Sequence, residues 1–198
     1  MFWLISEAFY PLLRSLEGCD SLLDLKATLT DNDHINLMAD NLGIPEENRF
    51  INISPSFDDL KKANLEILRR SRKFSSDGVP HVIFVYVGGH GATDNEKQIF
   101  LLNAEESKKA MFNIEYKLRT IVADELSMAR IFAVYDCCRV ALKNFPGLVA
   151  GRGSGDVDGQ IMEDYKSETN KYFHIQACGP GGIVDADEGF AECLLKIC

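Results

Sequence analysis

Two runs of apolar residues dominate the pattern along the chain, His81-Val-Ile-Phe-Val-Tyr-Val87 and Arg130-Ile-Phe-Ala-Val-Tyr135. Short β-rich runs without alternation are how strands buried on both faces look, as in a parallel sheet. Phe2 to Ile5, Phe50 to Ile53, Gln98 to Leu102 and Tyr172 to Ile175 predict further, shorter strands. Between them the period changes to that of a helix. One helix is predicted from Thr30 or Asp31, with Ile35, Met38 and Leu42 on its apolar side and Gly43 as its C-cap. A second starts after Ser56 and carries Leu60, Ala63, Leu65, Ile67 and Leu68 to about Lys73; its basic end suits the negative end of the helix dipole. A third spans Ile114 to Leu126, with Leu118, Ile121 and Val122 inward, and a closing helix carries Phe190, Cys193, Leu194 and Ile197. Strands alternating with helices predict an α/β fold, a mostly parallel central sheet in a three-layer α/β/α sandwich.

The pattern lapses over 144–170, which holds Pro146, five glycines and several acids without periodicity. That stretch is predicted to be a linker. The expected organisation is a single domain over 1–198, with 1–143 and 171–198 on either side of the linker. At 198 residues the chain is long enough for a substantial core. Its 30 acids against 21 bases give a formal charge of −9, with no basic run beyond one helix end. Nucleic acid is therefore not the expected partner, because phosphate contacts need clustered Lys and Arg. No stretch approaches ~20 consecutive apolar residues, so no membrane span is expected. Cys19, Cys137, Cys138, Cys178, Cys193 and Cys198 show no metal or disulfide-framework spacing, and the adjacent pair suits a reduced, cytoplasmic setting.

Candidate chemistry gathers at the ends of the two long runs. The first leads into Gly88-Gly89-His90-Gly91, the second into Asp136-Cys137-Cys138-Arg139. In open α/β sheets, ligands bind beyond the carboxyl ends of strands. Cys138 is the candidate nucleophile and His90 its base, with Gly91 N–H and Cys138 N–H as an oxyanion hole. Gly89 and Gly91 are expected to allow a sharp turn and the close approach of a substrate carbonyl. His90 precedes Cys138 by 48 residues.

On these residues the chain resembles the caspase-like cysteine proteases, the clan of caspases, metacaspases and paracaspases, whose histidine lies about 50 residues before the cysteine. The resemblance rests on Tyr86-Val-Gly-Gly-His90-Gly91 and Asp136-Cys137-Cys138-Arg139, and on the order of elements over roughly residues 30–198. It implies a caspase-like fold and a Cys138–His90 dyad. It gives residues 1–143 and 171–198 the character of a large and a small subunit. It also implies that the acid at Asp136 lines the specificity pocket, as in metacaspases and paracaspases, and selects Arg or Lys before the cut. Caspases carry glutamine there and cut after Asp. A carboxylate in a narrow pocket favours a guanidinium or ammonium and repels an acid.

The expected partner is thus a protein or peptide with Arg or Lys at the cleavage site. The alternatives are an inactive caspase-like module that regulates a partner by binding, an aspartate-cutting caspase, and another cysteine hydrolase such as an amidase. Gln176-Ala177-Cys178-Gly179 nearly spells a caspase signature and makes Cys178 a rival nucleophile, but it falls 88 residues after His90. No cofactor is expected. Asp156-Val-Asp158-Gly159 mimics part of a calcium loop, yet Tyr165 stands where the bidentate glutamate belongs. Ala92 to Glu96 is too short for the acidic segment that binds calcium in metacaspases. Arg152, between glycines, is the candidate self-cleavage point. Asp185 and Asp187 are candidates for added pocket charge.

Overall fold

The structure is a computed structural model, which describes residues 1–20, 22–94, 97–106, 108–149, 170–178 and 191. In chain order its elements are β1 (Phe2–Ser6), α1 (Ala27–Asn41), β2 (Arg49–Ile53), α2 (Phe57–Ser76), β3 (His81–Gly89) and β4 (Gly91–Asp94). They continue as β5 (Lys97–Leu101), β6 (Met111–Phe112), α3 (Ile114–Val122), β7 (Ala129–Cys137), β8 (Val140–Ala141), α4 (Pro146–Val149) and β9 (Tyr172–Gln176).

Five strands form the central sheet in the order β2-β1-β3-β7-β9. Every neighbouring pair runs parallel. One face of the sheet presents Trp3, Ile5, Val85, Val87, Ile131 and Ala133 to Leu60 and Ile67 of α2 and to Leu118 and Ile121 of α3. The other face presents Phe2, Leu4, Tyr86 and Val134 to Ile35, Met38 and Ala39 of α1. The chain is therefore α/β, with a parallel sheet between helical layers. The alternation of side chains assigns each residue of a strand to one layer or the other.

The short N-terminal run is an interior strand. All of β1 is buried, paired on both sides, and the Trp3 indole N–H donates to Asn52 Oδ1 at 2.8 Å. Ser56 caps α2 as expected, in a reciprocal box with Asp59. Gly43 lies just past α1 with φ +63°, the left-handed turn that closes a helix at low cost in glycine. Two boundaries and one facing differ from expectation. α1 starts earlier, after Lys26, which makes no side-chain cap. Leu65 lies on the exposed side of α2, and α3 stops at Val122 with Leu126 out in solvent.

A second sheet has the order β6-β5-β4-β8, of which only β5 was expected. Its Ala92 and Leu101 pack with Tyr10, Leu13, Cys19 and Leu148. The beginning of the expected linker belongs to this unit, because α4 buries Leu148 and Gly147 N–H donates to Glu17 O at 2.8 Å. Residues 150–169, with Arg152, lie outside the described residues, as do Asp185, Asp187 and the closing helix except Ala191, which is buried against the α1 face.

Candidate functional site

The chain leaves the large sheet for the small one twice. It crosses from β3 to β4 at His90, and from β7 to β8 at Cys138 and Arg139. The last rung between the long strands joins Gly89 to Cys137, and the first rung between the short ones joins Ala92 to Val140. Both rungs have an offset of 48 residues, the spacing of His90 from Cys138. The two residues thus take matching places, each directly after one paired rung and before the next.

Tight packing makes the crossing. Gly89 has φ +142°, and a Cβ on it would lie 2.6 Å from the Tyr10 hydroxyl. A Cβ on Gly91 would lie 2.5 Å from both the Cys138 carbonyl oxygen and Gln98 Nε2. These glycines make room for the protein's own groups, where the sequence had suggested room for a substrate carbonyl. The peptide plane also sets the direction of Gly91 N–H. His90 O accepts from Leu101 N on β5 at 3.0 Å, and the described backbone holds no cis peptide. In a trans plane the next N–H points opposite to the carbonyl, so Gly91 N–H points away from β5, toward the side of β4 where Cys138 and β8 lie.

His90 is 8% exposed. Its Nε2 lies 2.8 Å from Leu23 O. A carbonyl only accepts, so Nε2 carries the hydrogen and Nδ1 keeps its lone pair. Burial holds the imidazole below its ordinary pKa, partly offset by that hydrogen bond. The ring packs on Tyr10 at 4.6 Å between centroids, and the Tyr10 hydroxyl accepts from His90 N at 2.7 Å while donating to Glu7 O at 3.0 Å. The arrangement supplies a neutral, held base.

The three thiols differ in setting. Cys137 belongs to β7 and to the core on the α2–α3 face; its thiol donates to Val87 O at 3.3 Å, and burial pushes it far above the ordinary range. Cys138 is 7% exposed at the crossing. Cys178 stands close by, donating to Cys137 O at 3.5 Å, with its thiol raised by burial and by the neighbouring Cys138. The distance along the chain that separated Cys178 from His90 therefore does not separate it from the site.

Asp136 lies within β7, paired with Gly88, where the sequence had placed it beyond the strand. It is partly buried on the α1 side of the sheet and accepts from the Tyr86 hydroxyl at 2.8 Å. Burial raises its carboxyl above the usual range, against that hydrogen bond. Asp31, early in α1, shares the place. Burial and then the Asp136 charge push its carboxyl up to about 6. Among the described residues neither carboxylate has a lysine or arginine partner. Two half-buried carboxylates side by side, with only the His34 imidazole acting against the rise at Asp31, make a place suited to a cation.

Sequence reasoning missed Asp31, Tyr10, Leu23 and Gln98. An acid near a helix start and a glutamine in a strand carry no local mark of a site; only the tertiary contacts bring them to it. No group of three or more His, Cys, Asp or Glu that could hold a metal ion occurs among the described residues. No helix among them is long and apolar enough to cross a membrane. No protein-family model matches the chain, and no curated protein is similar to it.

Proposed function

We propose that the chain is a cysteine endopeptidase of the caspase-like kind that cuts proteins or peptides after Arg or Lys. The observation that supports this most is the matching placement of His90 and Cys138 at the crossing of the two sheets, with His90 holding a lone pair on Nδ1. In this reading Nδ1 takes the Cys138 proton as the sulfur attacks the scissile carbonyl. The carbonyl electrons move onto oxygen, which Gly91 N–H and Cys138 N–H hold. The tetrahedral adduct collapses, the C–N bond breaks, and the imidazolium gives its proton to the leaving amine. Water, deprotonated by His90, then hydrolyses the thioester. Asp136 and Asp31 bind the guanidinium or ammonium before the cut. Free thiols side by side fit a reducing compartment such as the cytoplasm.

The low exposure of His90 and Cys138, 8% and 7%, favours a second reading, a non-catalytic module that acts by binding. Purified protein offered matched reporters with Arg or Asp before the leaving group separates the two. The endopeptidase cleaves the Arg reporter, Cys138→Ala reduces the rate at least about 10³-fold, and Cys178→Ala does not. Asp136→Asn weakens the preference for Arg about tenfold or more. No cleavage, with no adduct on Cys138 from an arginine-directed electrophile, rejects the enzyme. Loss of activity in Cys178→Ala alone moves the nucleophile to Cys178.

A further inference from the structure

Gln98 is a polar residue directly before three buried apolar ones in β5, Ile99, Phe100 and Leu101. It is itself fully buried. Its side-chain nitrogen donates to Ile99 O and to Cys138 O, each at 3.3 Å, while Oε1 has no partner among the described residues. An unpaired buried amide oxygen costs more than an apolar side chain of the same length in the same space. Packing therefore does not explain a glutamine here. Ile99 O belongs to the adjacent residue, so among the described residues the one distant partner of the side chain is the carbonyl of Cys138.

That carbonyl lies in the gap between β7 and β8, where no sheet ladder holds it. Gly91 leaves the space open, because a Cβ there would strike both the carbonyl oxygen and Gln98 Nε2. Gln98 is anchored in turn. Its backbone N–H donates to Glu115 Oε2 at 3.1 Å, and Glu115 is bound through its other oxygen by Arg119 at 2.8 and 2.9 Å.

We propose that Gln98 is a positioning residue for Cys138: its amide grips the Cys138 carbonyl over Gly91 and fixes the direction in which the thiol is presented at the crossing. The inference rests on the reading of Cys138 as nucleophile. The Cys178 thiol donates to the carbonyl of the peptide before Cys138, at 3.5 Å, and Gln98 to the carbonyl of the one after it, so that residue is held on both sides.

Two variants test this, read by peptidase kinetics, thermal melting and the rate at which iodoacetamide alkylates Cys138, the adduct being located by mass spectrometry. Gln98→Met removes both the donor and the unpaired oxygen. It is expected to melt no lower than the wild type, to lose roughly three- to tenfold in kcat at unchanged KM, and to change Cys138 alkylation by a similar factor. Gln98→Glu places an acid in a fully buried site, which raises its pKa. Below that pKa the protonated acid donates to Cys138 O and kcat stays near wild type. Above it the donor is gone and kcat falls, a titration that the wild type lacks.

Folded Gln98→Met with wild-type kcat and alkylation overturns the proposal. So does folded Gln98→Glu with the wild-type pH profile, or with no activity at any pH while its Cys138 is alkylated as in the wild type. If both variants melt far below the wild type, Gln98 is a packing residue and the proposal falls. If the wild type cleaves nothing while Cys138 alkylation still responds as described, the peptidase reading fails and the positioning role stands.

Discussion

Asp31 turns a geometric detail into a pH dependence. Folding raises its carboxyl to about 6, first by burial and then by the charge of Asp136. The native state thus holds this proton more tightly than the unfolded chain does, whose aspartates titrate near 3.9. Its contribution to stability is complete below the unfolded value and is lost as pH rises through about 6. Asp31→Asn is therefore expected to stabilise the protein at pH 8, by about 1 kcal/mol after allowance for solvent screening of a half-buried group, and to leave it unchanged at pH 4. Thermal melts at the two pH values decide it, and equal shifts at both would show that folding does not raise the Asp31 carboxyl. The same variant weakens an arginine substrate if the two carboxylates bind it. His90, Gly91 and Cys138 are legible in the sequence because each follows an apolar run that marks a buried strand, and a strand end is a marked place. Asp31 is not, because an acid near the start of a helix ordinarily complements the dipole in water. Nothing local tells that Asp136 stands opposite.

The same contrast holds among the elements. β3 and β7 are visible because burial on both faces demands unbroken apolar runs. β4, β6 and β8 span two to four residues, and their partners in space define them more than their own composition does. α1 lacks a capping side chain, so its start carries no signal, whereas the Ser56 box marks that of α2. What escaped the sequence is therefore the smaller sheet, which turns two strand ends into a crossing. Gly91→Ala tests that junction. The added Cβ meets a backbone oxygen at 2.5 Å, which a side-chain rotation cannot relieve. The expected cost is about 1–3 kcal/mol in a denaturant titration, together with a changed rate of Cys138 alkylation. A variant as stable and as reactive as the wild type would mean that β4 moves aside freely.

Across the whole molecule the two sheets share two covalent crossings, and Phe100 of β5 and Phe112 of β6 lie in the apolar cluster of the large sheet. Such coupling predicts one cooperative unit. Trp3, the chain's one tryptophan, is fully buried in the large sheet, and Cys19 is fully buried under the small one. In guanidinium the red shift of Trp3 fluorescence and the pulse labelling of Cys19 are expected to share a midpoint. Labelling of Cys19 at clearly lower denaturant would show that the small sheet opens alone. The register across the large sheet also gives the cysteine doublet a definite asymmetry. Successive residues of a strand face opposite ways, so parity, not reactivity, separates Cys137 from Cys138. Sliding β7 by one residue would bring Cys137 to the place that matches His90, but it would also turn Ile131, Ala133 and Tyr135 out of the layer they fill. A pair of identical neighbours is thereby made non-interchangeable: a one-residue deletion within β7 cannot promote the spare thiol without inverting the strand that carries it.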